Sequence, residues 1–196
     1  MIPFLLQAVK SLGHEVFTNG DYNLNIIGVR NPIPRNNEFD DMICVVYKEE
    51  GNWITRCWPA TTDPGTYWLQ NPMKSTGTAI MVPGQYRGAY KIGMHRGQYE
   101  ALVQRGGKVK VWRDNNRDEI LNYEEDEVDG FFGINIHRAT AHGASPEVNK
   151  WSAGCQVFQD SEDFAEFMAL VKKSAEKYSS VFSYTLVVPK NFIMEA

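Results

Sequence analysis

Apolar residues in this chain gather mostly into short runs separated by Pro, Asn and Gly, which is the rhythm of a β-rich protein rather than a helical one. Runs at 23–30, 41–48 and 53–60 read as strands, with Asn31-Pro-Ile-Pro-Arg-Asn-Asn37 breaking the first from the second. Further strands are expected at 77–82, 88–93, 108–113 and 131–136, and a last one at 181–188 before Pro189. The segment Gln98 to Arg105 reads as a short helix or turn. Two stretches carry the helical period instead. In 3–12, Phe4, Leu5, Ala8, Val9 and Leu12 precede Gly13 as a stop. In 161–178, Phe164, Phe167, Met168 and Val171 recur at i, i+3, i+4 and i+7 behind Asp160 as N-cap. The expectation is a mostly β, β-rich α+β fold in a single domain, 1–196, with 1–22 as an N-terminal helical appendage.

The runs Met42 to Tyr47 and Trp53 to Trp58 flank Glu49-Glu50-Gly51-Asn52 and form a hairpin signal. A two-residue loop at Glu50-Gly51, or a four-residue loop over 49–52, sets Cys44 opposite Cys57. The pair is read as two buried thiols that pack as small hydrophobes, with a cross-strand disulfide as the alternative. A chain of 196 residues with 43% apolar content builds its core without a disulfide framework, and three cysteines could not supply one.

A net charge of −4 leaves no basic footprint, so neither nucleic acid nor an anionic membrane surface is an expected partner. No segment approaches the ~18 uninterrupted apolar residues of a membrane span. The apolar start Met1-Ile-Pro-Phe-Leu-Leu-Gln-Ala-Val has no preceding basic residue and no clear cleavage pattern, and is read as no signal peptide. Nothing in the sequence sets an oligomeric state.

Chemistry concentrates in Gly133-Ile-Asn-Ile-His137-Arg138-Ala and Trp151-Ser-Ala-Gly-Cys155-Gln-Val. A thiol attacks as thiolate, and His is the usual group to take its proton near neutrality. Taken singly, Cys155 could be a structural cysteine and His137 a histidine satisfied by a carbonyl. Together, each at the edge of a short β-leaning run, they read as nucleophile and base. His137 precedes Cys155 by 18 positions. Papain-like proteases place Cys first, and caspases place His about 50 residues upstream, so both fit poorly.

Ile136-His137 followed by Ser152-x-Gly154-Cys155 resembles the catalytic domain of L,D-transpeptidases, the YkuD family. The segments Pro59-Ala-Thr-Thr-Asp-Pro-Gly and Gly77-Thr-Ala-Ile-Met-Val-Pro-Gly resemble that family's substrate-side hairpin and strand, so the likeness spans roughly 40–158. It implies a YkuD-like β-sandwich or barrel with a helix bracing the cysteine strand, and a cysteine acyl-transfer enzyme acting on peptidoglycan stem peptides without a cofactor. It assigns the nucleophile to Cys155 and the base to His137. The Arg138 carbonyl would orient that base, Gly154 and Cys155 would supply backbone N–H groups to an oxyanion, and Ser152 belongs to the same motif. The family's His before the cysteine is Ala153 here, and its Arg or Asn two places after is Val157. His142 is a candidate stand-in for the missing histidine, or else an exposed loop residue. Gln156, Tyr86, Tyr90, His95 and Arg96 complete the expected substrate contacts, and 138–151 the expected lid. Water as acceptor gives an L,D-carboxypeptidase or endopeptidase, which the altered acceptor-side residues favour; a second stem peptide gives 3→3 cross-links. Lack of a leader suits a phage lysis enzyme, a virion-associated protein or a secreted effector, and equally the mature form of an exported protein. The rival reading is a non-catalytic wall-binding or virion structural module. Zinc on His137, His142 and Cys155, or calcium on Asp114, Asn116, Asp118, Asn122 and Glu125, are weak signals, because no second Cys pair exists and Glu119 stands where a calcium loop needs Gly. Glu124-Glu-Asp-Glu-Val-Asp129 reads as a solvated acidic turn.

Overall fold

The structure, a computed structural model, describes residues 1–123 and 126–189. Eleven strands are assigned among them: β1 (Asn25–Val29), β2 (Asp41–Glu49), β3 (Asn52–Thr61), β4 (Thr78–Met81), β5 (Gly84–His95), β6 (Tyr99–Gln104), β7 (Val109–Asp114), β8 (Val128–Gly130), β9 (Ile136–Arg138), β10 (Gln156–Phe158) and β11 (Val181–Val187). The helices are α1 (Phe4–Ser11), α2 (Thr66–Gln70) and α3 (Ser161–Lys177). Eight strands close a barrel in the order β1-β11-β5-β6-β9-β10-β3-β2, and β4-β7-β8 form a separate three-stranded sheet. The fold is mostly β, as the apolar rhythm predicts.

The β2–β3 hairpin turns through Glu50 and Gly51, whose φ angles of 50° and 77° put both in the left-handed region that two-residue hairpin loops require. The Asp21 carboxylate accepts the N–H groups of both turn residues, at 2.9 and 3.0 Å. This register sets Cys44 against Cys57, and there the preferred sequence reading needs correction: the two are a disulfide, with Cα atoms 4.0 Å apart. Close facing at such a site makes the bond possible, and one partner, Cys57, lies exposed rather than packed as a buried thiol.

Two other expectations fail for definable reasons. Most of the segment 98–105 is strand β6 (Tyr99–Gln104) rather than a helix, paired antiparallel to β5 from His95↔Tyr99 to Tyr90↔Gln104. Ala101, Leu102, Val103 and Gln104 are all buried, so the run lacks the alternation that marks a half-buried strand. The strand expected at 131–136 begins only at Ile136, because the side chain of buried Gln104 takes the N–H groups of Phe132, Gly133 and Ile134 that a ladder would use. Helix α3 starts behind Asp160, whose carboxylate accepts the Glu162 N–H at 2.7 Å, and packs Phe164 and Phe167 on Phe158 of β10. Helix α1 lays Leu6 and Val9 on Ile27, Val46 and Val187 at the barrel wall. Among the described residues no helix is long and apolar enough to cross a membrane.

A buried polar cluster ties β1, the end of β3 and β4 together. Arg30 donates to Thr62 Oγ1, the Thr62 carbonyl and the Met81 carbonyl, and its Nη2 lies 3.2 Å from Asp63 Oδ1 as an ion pair without hydrogen-bond geometry. Asp41 accepts from the Thr62 N–H and hydroxyl and from the Asn31 N–H. Asp63 pairs with the guanidinium directly and Asp41 reaches it only through Thr62, and Asp41 is pushed up to about 7, by burial first and the Asp63 charge second, with Arg30 opposing. The folded carboxyl holds its proton more tightly than the unfolded one, so its stabilising contribution is complete below about pH 3.8 and is lost as pH rises through about 7. Urea unfolding from pH 4 to 8 should show the wild type losing up to roughly 4 kcal/mol relative to Asp41→Asn across this range. Parallel pH profiles for the two proteins would refute a raised Asp41.

Candidate functional site

The turn Ser152–Cys155 delivers the thiol to the start of β10. Ser152 is fully buried; its hydroxyl donates to the Cys155 carbonyl at 2.8 Å and accepts the Gly154 N–H at 3.2 Å. Gly154 has φ 117°, and a Cβ there would stand 2.3 Å from the Ala79 carbonyl oxygen, so only glycine lets the turn lie this close to β4. Strand β10 runs parallel to β9, pairing Gln156 with Ile136 and Val157 with His137. Cys155 therefore meets Asn135, whose N–H donates to Sγ at 3.4 Å, and the thiol reaches the Gly133 carbonyl at 3.5 Å. His137 follows Asn135 by two residues, so the alternation of an extended chain turns both side chains to one side.

His137 Nδ1 lies 2.8 Å from the Arg138 carbonyl oxygen. A carbonyl only accepts, so Nδ1 carries the proton and Nε2 keeps the lone pair that a base needs. The Tyr99 hydroxyl donates to the same carbonyl at 3.3 Å, and the Arg138 guanidinium sits 4.4 Å over the Tyr99 ring. The ring of His95 stacks on that of His137, with centroids 4.0 Å apart and planes 25° from parallel.

These surroundings hold the pair uncharged. His137 is pushed down to about 3, by burial first and then by His95, against the hydrogen bond to Arg138. Burial lowers His95 to about 4, with Arg96 adding to it. Burial raises the Cys155 thiol to about 11, with the Asn135 N–H and Arg96 opposing. At neutral pH the resting pair is thiol and imidazole rather than thiolate and imidazolium, and proton transfer must accompany attack.

The structure thus places Cys155, Gly154 and Ser152 on the turn into β10, His137 and the Arg138 carbonyl on the paired strand β9, and His95 and Arg96 in the hollow beside His137, with Asn135 reaching both Cys155 and His95. Some of these take roles other than those expected. The Gly154 N–H is occupied by Ser152, whereas the Cys155 N–H, like those of Ser152 and Ala153, has no partner among the described residues. Three expected substrate contacts are corrected. Tyr86 donates its hydroxyl to the Val82 carbonyl inside the core, and Tyr90 is fully buried against Tyr184. Gln156 is fully buried and accepts the Tyr184 hydroxyl at 2.8 Å. His142 is exposed on its loop and does not line the cleft beside His137. Asn135, Gln104 and Tyr99 were not anticipated. Asn135 was accessible in principle from the strand alternation Asn135-Ile-His137, whereas Gln104 acts from a distant strand with no local signal.

Two hollows adjoin the site. One, about 270 Å³, is lined on the His137 side by His95, Arg96, Gln98, Tyr99, Arg138, Ala139, Thr140, Ala141, Lys150 and Trp151. The expected lid, 138–151, thus supplies several of its walls. The other, about 180 Å³, lies where Ala153 meets Lys74, Gly77, Thr78, Ala79, Arg113 and Phe132. A groove of about 400 Å³ between Glu100 and α3 shares Tyr99 and Arg138 with the first. Among the described residues no group of three or more His, Cys, Asp or Glu side chains is arranged to hold a metal ion; Glu125 of the calcium reading and Glu124 of the acidic turn lie outside them. No family model, no curated protein and no solved structure matches this chain.

Proposed function

We propose that this chain is a divergent L,D-transpeptidase-like cysteine enzyme that cleaves L,D peptide bonds of peptidoglycan stem peptides through a Cys155 thioester, acting on the cell wall after phage release or secretion. The observation that carries the reading is the tautomer of His137: the Arg138 carbonyl holds Nδ1–H and leaves Nε2 free as a base on the strand beside the cysteine turn. The mostly β barrel, with α3 packed behind the strand that follows the cysteine, is what the fold contributes to this reading.

In this reading His137 Nε2 takes the thiol proton as Sγ bonds to the peptide carbonyl carbon, and the Cys155 N–H faces the developing oxyanion. The C–N bond then breaks, the leaving nitrogen receives the proton from His137, and water releases the acyl group from sulfur. Stem peptides carry free carboxylates, and the hollow beside His137 has Arg96, Arg138 and Lys150 on its walls with no carboxylate among its lining residues. On the Ala153 side, Lys74 and Arg113 repeat that sign. Such walls favour an anionic peptide even on a chain of net charge −4.

A second reading, a wall-binding or virion module that does no chemistry, draws support from the raised thiol and from Ala153 in place of the family's histidine. Incubation with purified muropeptides followed by mass analysis separates the readings. Products lighter by one hydrolysed residue or stem fragment are expected. Cross-linked dimers alone would establish transpeptidation instead, and unchanged muropeptides that still co-sediment with the protein would establish the binding module.

A further inference from the structure

Asn135 determines more than the contact to sulfur. Its Oδ1 accepts the Gln104 N–H at 2.9 Å, and a backbone N–H can only donate, so the orientation of the Asn135 amide is fixed. The other end of that amide, Nδ2, therefore donates, and it faces His95 Nδ1 at 3.1 Å. His95 Nδ1 is then the acceptor, and its proton sits on Nε2. The two stacked rings hold opposite tautomers: His137 presents a lone pair at Nε2, and His95 presents an N–H at Nε2.

That N–H has no acceptor in the protein among the described residues, nor is it a buried unsatisfied atom, and His95 lines the hollow beside His137. His95 is otherwise 6% exposed, so its ring is held by packing on His137 and by Asn135 rather than by solvent. From this arrangement we infer that His95 is a neutral hydrogen-bond donor to the substrate, fixing an acceptor oxygen of the bound peptide beside the base. The inference rests on the proposed function for the identity of that peptide and for His137 as base. No proton leaves His95 in this role: the thiol's proton travels to His137 Nε2 and on to the leaving nitrogen, while the His95 Nε2–H bond stays intact. Burial and the nearness of the two rings keep either from becoming a cation, which preserves both the lone pair and the donor. Asn135, touching both His95 and Sγ, sets the spacing between donor and nucleophile.

Nitrogen NMR of ¹⁵N-histidine-labelled protein at pH 7 tests the tautomers without any substrate. One ring should be protonated at Nε2 alone and one at Nδ1 alone, assigned to His95 and His137 by their loss in His95→Phe and His137→Phe. The same tautomer in both rings, or an imidazolium in either, overturns the inference. The role is tested by comparing His95→Phe, which keeps a flat ring but offers no donor, with His95→Gln, which can both accept from Asn135 and donate. Stem-peptide cleavage should fall at least tenfold in kcat/KM for His95→Phe and recover to within about threefold of wild type for His95→Gln. The urea midpoint of both variants should stay close to that of the wild type. Cleavage that falls equally in His95→Phe and His95→Gln, or cleavage unaffected in His95→Phe, overturns the role. If His95→Phe does not fold, the wild-type tautomers and the His95→Gln rate, which must then stay near wild type, decide it. A wild type that shows the opposed tautomers yet cleaves no peptide sinks the hydrolase reading and the donor role with it, while leaving the tautomer assignment standing.

Discussion

Cys155→Ala is expected to abolish stem-peptide cleavage, by roughly 10⁴-fold or more, while leaving unfolding nearly unchanged. Both halves follow from the thiol's surroundings. Its contacts, the Asn135 N–H at 3.4 Å and the Gly133 carbonyl at 3.5 Å, are weak, because sulfur is a poor donor and acceptor. The turn that carries it is held instead by Ser152, which is bonded to the Cys155 carbonyl and the Gly154 N–H and loses neither in the variant. Stability should therefore fall by no more than about 1 kcal/mol, within the range of a modest side-chain truncation. Chemistry, in contrast, has no second route. The other two cysteines are joined to each other on β2 and β3, and His137 alone would have to activate water with a base held down to about 3. The check is product mass together with a urea melt on the same preparation. Cleavage surviving in a folded Cys155→Ala protein would remove the thioester from the mechanism.

The resting state of the pair also governs how its reactivity should be probed. A thiol raised to about 11 beside a base lowered to about 3 is a poor target for simple alkylation at neutral pH, so weak labelling by iodoacetamide does not by itself mark an inactive site. A substrate carbonyl changes the balance because attack and proton transfer occur together. Acylating probes that present a carbonyl are the informative ones.

How far the sequence foretold this site depends on how local each determinant is. The hairpin register, the α3 cap at Asp160 and the strand positions of His137 and of the turn carrying Cys155 were readable because each rests on residues near in sequence or on spacing alone. Tyr86 and Tyr90 were misplaced for an instructive reason. Tyrosines suit a wet cleft and a core equally, and only the closure of the barrel, which turns Tyr90 onto Tyr184, decides between them. Strand β6 was hidden because it is covered on both faces, and the short β9 because its expected ladder partners were taken by the Gln104 side chain. The same residue, through its N–H, orients Asn135 and thereby the tautomer of His95. A histidine assessed by its neighbours in sequence, Gly93-Met-His95-Arg-Gly97, shows none of this, because its partners come from β9 and from the loop before it. Oxidation of Cys44 and Cys57 was similarly open: the register brings them together, but bonding depends on a geometry that apolar patterning does not encode.

Gly154→Ala should damage stability and activity together. The new Cβ would lie 2.3 Å from the Ala79 oxygen and 3.2 Å from its carbonyl carbon, which are backbone atoms and cannot rotate aside. Strand β4, which carries them, is paired along its whole length to β7, and its last carbonyl, at Met81, receives Arg30. The glycine must therefore yield, and it cannot do so cheaply, since φ 117° is a conformation alanine avoids. Strain and overlap together should cost about 3 kcal/mol or more in stability. The catalytic loss should be larger than that figure suggests. Any shift of the turn moves Sγ away from the Asn135 N–H and the Gly133 carbonyl, and a displacement near 1 Å costs on the order of 100-fold in rate. Ala153→Ser makes the control, because residue 153 lines the hollow on the Lys74 and Arg113 side and has room for one more atom. Urea unfolding and peptide cleavage measured on both variants should show Gly154→Ala impaired in each and Ala153→Ser close to wild type in stability. A Gly154→Ala protein as stable and as active as the wild type would mean that the turn does not approach β4 as described, and the placement of Cys155 beside Asn135 would fall with it.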